Sequence, residues 1–238
     1  MQRTAGKIAV LCSTEDKKEL ESRFNSIAGI KFFSAIKFND DKSAVKRAVS
    51  IAREADYLIF ASKHSVRLFV KEMLRLGLNP DVFNAKTKVF AAGKATKKEL
   101  EENGIDVYYA PSSGGLSKIF YKLQFMDRGI VVEISGNSQN DRALDVPMGL
   151  MYVRIKTYSL VICLKNFDIK GYNAVVFPSS AEVDAFSESY KEAIEGFKGI
   201  KAVCIGKKAY EKTKAIFNKA ELCAKNDIGY AIKQARDE

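Results

Sequence analysis

The chain has 238 residues, with 39 Lys and Arg against 29 Asp and Glu for a formal net charge of +10, 47% hydrophobic residues, four Pro and no Trp. This composition excludes disordered and collagen-like chains and leaves one large domain or two small ones, each able to bury a core. No apolar run approaches the ~20 residues of a membrane span, and the start lacks the apolar stretch of a secretory signal, so a cytoplasmic protein is expected.

Cys12, Cys163, Cys204 and Cys223 are scattered, without a C-x-x-C pair, in or beside apolar runs. They are expected to be buried free thiols rather than disulfides or zinc ligands. His64 is the only histidine, so multi-His metal centres are excluded, as is a Ser-His-Asp triad on any other His. The positive balance calls for an anionic partner or serves solubility. It is mostly lysine, a hydrated point charge suited to carboxylates and phosphates and poor at bidentate base reading.

In chain order, Lys7–Cys12 (KIAVLC) reads as a buried strand, and Ser13-Thr14-Glu15-Asp16 caps a helix to about Ile27. Lys31–Phe38 has strand composition. Asp40 and Asp41 open a helix with the apolar stripe Ala44, Val45, Ala48, Val49, Ala52 and Ala55. Tyr57–Ala61 is a strand, followed by a helix from about Ser65 to Leu76 that Gly77 stops. Lys88–Ala92 is a strand, Gly93–Thr96 a tight connection and Lys97–Asn103 a helix. Val107–Tyr109 reads as a strand, Ser113–Phe125 as a helix and Ile130–Ile134 as a strand before a polar loop, Ser135–Asp141. Tyr152–Leu164 is a long β-rich stretch. Strands alternating with helices imply βαβ units and mainly parallel sheets.

The chain also resembles itself. YLIFASKHSVRLF (57–69) matches AVVFPSSAEVDAF (174–186) at an offset of 117. KVFAAGKATKKEL (88–100) matches KAVCIGKKAYEKT (201–213) at 113, and VYYAPSSGGL (107–116) matches ELCAKNDIGY (221–230) at 114. Three collinear matches indicate two similar βα domains. The second copy lacks an opening strand, which Lys7–Cys12 can supply. The expected fold is therefore α/β: two similar, parallel-sheet, flavodoxin-like domains joined by a two-stranded β linker, with an interdomain cleft. Residues 1–33 and 163–238 would form the discontinuous domain, 40–150 the inserted one, and 34–39 and 151–162 the connecting strands. Ligands in such sheets bind beyond the carboxyl ends of the strands.

The strand-to-helix connections hold the candidate site. Ser62, Lys63, His64 and Ser65 follow one strand, and Pro178, Ser179 and Ser180 its repeat. Free N–H groups at helix starts suit carboxylates or phosphates, and the serines are equally N-caps. Gly93, Lys94 and Thr96 are matched by Gly206 and Lys207, where Gly admits a close ligand and Lys neutralises an anion. This is not a P-loop. Ser135, Gly136 and Asn137 form a third polar connection, and Arg142 is either a ligand clamp or half of a surface pair with Asp141. Tyr158, on a linker strand, can donate a proton to a leaving group or simply pack across strands.

ADYLIFASKHSV (55–66), VFAAGKATKKELEENGIDVYYAPSS (89–113), IKTYS (155–159), NAVVFPSSAEVDAF (173–186) and AVCIGKKA (202–209) together resemble the uroporphyrinogen-III synthase family. The resemblance implies a cofactor-free enzyme of tetrapyrrole biosynthesis. Its substrate would be hydroxymethylbilane, a linear octacarboxylate, closed to uroporphyrinogen III with ring D inverted and water released. It places Ser62, Lys63, His64, Ser65, Gly93, Thr96 and Ser135–Asn137 in the binding loops of one domain. Ser179, Ser180, Gly206 and Lys207 fall in those of the other, and Tyr158 matches the tyrosine proposed to help the hydroxyl leave. Cys12-Ser13-Thr14 stand where the family usually has Thr-Arg, Ala209 replaces a Thr, and Asp145–Met151 is shortened. A monomer without membrane or nucleic-acid partners is expected. A two-domain cytoplasmic small-anion binding protein is the alternative. A nucleic-acid binder, suggested by the charge, lacks any of the usual motifs.

Overall fold

The computed structural model describes residues 6–112, 115–137, 145–165, 167–190, 197 and 199–236. Its elements begin with β1 (Ile8–Ser13), α1 (Thr14–Phe24), β2 (Ile30–Asp40), α2 (Lys42–Ala52), β3 (Tyr57–Phe60) and α3 (Lys63–Arg75). Next come a 3-10 turn (Pro80–Phe83), β4 (Lys88–Ala91), α4 (Lys94–Glu102), α5 (Gly115–Leu123), β5 (Gly129–Asn137) and β6 (Leu150–Ile162). After a second 3-10 turn (Ile169–Gly171) follow β7 (Ala174–Phe177), α6 (Ser180–Ser189), β8 (Lys201–Cys204), α7 (Lys207–Thr213), β9 (Lys219–Leu222) and α8 (Ile228–Arg236).

Two compact units result, Met1–Phe38 with Val161–Glu238, and Asn39–Leu160. Strands β2 and β6 each start in one unit and end in the other. In the discontinuous unit the strand order is β2-β1-β7-β8-β9, all parallel. Counted within the unit this is 2-1-3-4-5, the flavodoxin-like order, and its direction reverses between β1 and β7. In the continuous unit the order is β4-β3-β5-β6, again parallel. The bridge Phe90↔Tyr109 adds one pairing outside β4, so the order reverses between β3 and β5.

Burial on both faces explains why these strands read as unbroken apolar runs. On β3, Leu58 and Phe60 enter the core under α2 and α3, while Tyr57 and Ile59 enter the core under α5. On β1, Ala9 and Leu11 face one core and Ile8 and Val10 the other. Each fully buried Val, Leu, Ile or Phe side chain among them contributes roughly 1.5–3 kcal/mol.

Several local expectations change. Residues 107–109 make a single bridge rather than a strand, because the Tyr108 and Tyr109 N–H groups both turn to Val89 O and the ladder does not extend. The expected loop at Ser135 is still strand. β5 continues to Asn137 because a bulge keeps it paired with β6. Gly93–Thr96 is no separate connection, since Gly93 is the N-cap of α4. Cys12, Cys204 and Cys223 are buried free thiols, but Cys163 is half-buried. Burial pushes the Cys204 thiol up to about 11.

Candidate active site

In the continuous unit, the point where strand order reverses brings the carboxyl ends of β3 and β5 together. Ser62 caps α3, its Oγ accepting from the Ser65 N–H at 3.1 Å and lying 2.9 Å from Ser65 Oγ. Tyr158, 9% exposed, donates from its hydroxyl to Ser62 Oγ at 2.9 Å. Its ring meets the His64 ring edge-on, with centroids 4.7 Å apart and planes at 88°. His64 is 4% exposed, and its Nε2 donates to Asp40 Oδ1 at 2.8 Å.

A backbone feature seats the tyrosine. Ser135 pairs with Lys156, the register then slips by one residue, and Gly136 pairs with Tyr158. The Tyr158 ring lies so close over Gly136 that a Cβ there would stand 2.3 Å from Cζ. Thr157, the extra residue, donates its hydroxyl to Ser135 O at 3.1 Å and accepts the Asp41 N–H at 2.9 Å. Ser135 is buried, and its Oγ has no hydrogen-bond partner among the described residues. Asn137 is exposed beside Ser159.

Electrostatics favour anions at this edge. Neither α3 nor α4 carries an acidic residue in its first turn, so both helix starts keep their positive character. The Ala92 N–H bonds Phe60 O, which sets the end of β4 beside that of β3. Gly93 caps α4 without a side-chain bond; Lys94 is exposed and Thr96 buried. Lys63 is half-buried.

The discontinuous unit differs. Its reversal point is flanked by α1 and α6, and each helix brings its own carboxylate. Ser13 caps α1 and donates to Asp16 at 2.7 Å. Ser179 caps α6 and donates to Glu182 at 2.5 Å. Both are capping boxes. Burial raises the Glu182 carboxyl above its ordinary value, and burial with nearby Glu182 pushes the Cys12 thiol up to about 12. Ser180 is the first residue of α6, and Gly206, at φ 91°, leads into exposed Lys207 at the start of α7.

Ser62, His64, Ser65, Gly136 and Tyr158 thus form one cluster, with Ser135 on the neighbouring backbone. Gly93, Lys94 and Thr96 lie at the next strand end, and Ser179, Ser180, Gly206 and Lys207 belong to the other unit. Arg142 lies outside the described residues. Asp40 was missed. Its one sequence signal is a second Asp beside the capping Asp41. Glu182 was missed too, although S-x-x-E is legible as a capping box. A trio on β5 and β6 also went unread: buried Glu133 accepts from half-buried Tyr152 at 2.6 Å and from half-buried Arg154 at 3.1 Å. Burial, then the Glu133 bond, raise the Tyr152 phenol. Among the described residues no group of His, Cys, Asp and Glu could hold a metal, and no helix is long and apolar enough to cross a membrane.

A search of curated protein sequences found no match. Solved structures do match. A substituted uroporphyrinogen III synthase from Thermus thermophilus aligns with a TM-score of 0.67 at 15% identity, covering 96% of this chain and 98% of that one. The uroporphyrinogen-III synthetase of Helicobacter pylori 26695 gives a TM-score of 0.56 at 13% identity, over 97% of this chain and 98% of that one. Wild-type Thermus synthase gives 0.52 at 14% identity, over 97% and 96%. At these identities the likeness establishes the fold. Membership rests on the sequence itself, because the family model for uroporphyrinogen-III synthase HemD matches residues 28–226, which contain every element of the Tyr158 cluster. With that match and that fold, the chain belongs to the uroporphyrinogen-III synthase family, named for a cyclising hydro-lyase of porphyrin biosynthesis.

Proposed function

We propose that this chain closes hydroxymethylbilane to uroporphyrinogen III, as a cytoplasmic monomer with Tyr158 as its proton donor. The hydroxymethyl C–O bond breaks with both electrons leaving on oxygen. Tyr158 protonates that oxygen, so water departs and an azafulvene cation remains. The substituted carbon of ring D attacks the cation to give a spiro intermediate, which opens and recloses with ring D inverted. The ring carbon that finally closes sheds its proton, which balances the one Tyr158 gave. The protein's main task is geometric, since the cation can also cyclise without inversion.

The observation that supports this reading most directly is the seat of Tyr158. A phenol held on Ser62, at a helix whose own first turn has no acidic residue, can pass its proton to the leaving oxygen. The starts of α3 and α4, whose first turns carry no acidic residue, suit several of the eight carboxylates together with Lys63, Lys94 and Asn137. Ser179, Ser180, Gly206 and Lys207 are proposed to take others. A small-anion binding protein would use the same strand ends but has no need of a proton donor.

Hydroxymethylbilane is supplied, the products are oxidised, and the type I and type III isomers are resolved. Type III product is expected, and Tyr158→Phe should slow its formation roughly 100-fold without abolishing it. Type I product alone removes the function, and unchanged turnover in Tyr158→Phe removes Tyr158 from the mechanism.

A further inference from the structure

We infer that Asp40 and His64 form a positioning pair for Tyr158, and that His64 acts through the tyrosine rather than on the substrate. The inference rests on the ring-closing function proposed above. Among the described residues, Gly136 lies beneath the ring, Ser62 holds the hydroxyl and His64 stands against the ring. Gly136 and Ser62 are set by backbone and cap. His64 is set by its bond to Asp40 at 2.8 Å, in which the carboxylate accepts from Nε2 and fixes the plane of the imidazole.

Asp40 is itself tied to the strand that carries the tyrosine. It precedes Asp41, whose N–H bonds Thr157 O, and Thr157 precedes Tyr158. The contacts therefore close a ring from Tyr158 through His64, Asp40, Asp41 and Thr157 back to Tyr158. Capping of α2 does not need Asp40, because Asp41 accepts from the Ser43 and Ala44 N–H groups. Two facts argue against substrate binding by the pair. The His64 side chain is 6% exposed, which leaves little surface for a ligand, and Asp40 carries the charge a polycarboxylate avoids.

The test is a double-mutant cycle with hydroxymethylbilane, using Asp40→Ala, Tyr158→Phe and both together. Asp40→Ala is expected to lower kcat about tenfold with KM within about twofold, as misplacement of a catalytic group does. In the Tyr158→Phe background it should cost less than about twofold more, since coupled residues are not additive. Asp40→Asn, which keeps an oxygen acceptor for Nε2, should recover most of the rate. Asp40→Ser, too short to reach the ring, should match Asp40→Ala and stands in for it if that variant does not fold. With 3-fluorotyrosine incorporated, the resonance lost in Tyr158→Phe should shift and broaden in Asp40→Ala. An equal loss in both backgrounds, a raised KM at unchanged kcat, or an unmoved resonance overturns the inference. Absence of type III product from the wild-type chain instead overturns the function, and the fluorine resonance still reports on the pair.

Discussion

A single missing carbon decides where Tyr158 stands. Gly136 is the residue over which the ring lies, and any Cβ would intrude to 2.3 Å of Cζ and 2.4 Å of Cε2. Gly136→Ala must therefore push the phenol away from Ser62 Oγ or open the β5–β6 pairing. Its kcat should fall at least as far as that of Tyr158→Phe, and overpacking should lower stability by about 1–3 kcal/mol. Steady-state kinetics beside a urea melt measures both, and an alanine variant with wild-type kcat would mean that the ring's seat is immaterial. The sequence offered Gly136 as one of three polar loop residues and Tyr158 as a strand residue with two possible roles. It held no sign that they touch, because strand pairing alone brings these distant positions together.

At the scale of elements, the two units use one device with opposite charge. Three strands pass into helices through a serine cap, Ser13, Ser62 and Ser179, as their side-chain bonds to the next turn demonstrate. The third residue of the helix then sets the electrostatics: Asp16 in α1, Ser65 in α3 and Glu182 in α6. The carboxylates satisfy their own helix starts, and serine leaves the dipole exposed. Glu182 has a consequence for stability. Burial raises its folded-state pKa above the ordinary 4.5, so as pH rises through 4.5 the unfolded chain ionises first and the folded state loses ground. Glu182→Gln keeps the capping box and removes the charge. The variant should match wild type below pH 4.5 and exceed it above. Melting curves at about pH 4 and pH 7 measure this; a constant difference at both would show that Glu182 ionises as freely when folded.

For the whole molecule, the net charge of +10 acquires a purpose in the proposed function. Lys63, Lys94 and Lys207 stand at or beside helix starts that follow strands, where an octacarboxylate would be drawn. Raising ionic strength from about 0.1 M to about 1 M shortens screening from about 10 Å to about 3 Å. KM for hydroxymethylbilane should then rise several-fold while kcat stays constant, because buried Tyr158 is little screened. A KM indifferent to salt in initial-rate assays would leave the charge to solubility alone.

The sequence by itself determined the βα alternation, the internal repeat and the serine and glycine residues at strand ends. These are local properties, carried by apolar period, caps and turn chemistry within a few residues. It also carried the family resemblance, whose motifs are those strand ends. Only the tertiary structure decided which side chains meet. Asp40 reaches His64 across 24 positions and Tyr158 reaches Ser62 across 96. A parallel sheet joins neighbours through long crossovers, so the order and register of its strands are set by collective packing. The one-residue bulge at Ser135 and Gly136 shows this most plainly: it sets Tyr158 in place of Thr157 opposite the glycine, and no local pattern in either strand announces it.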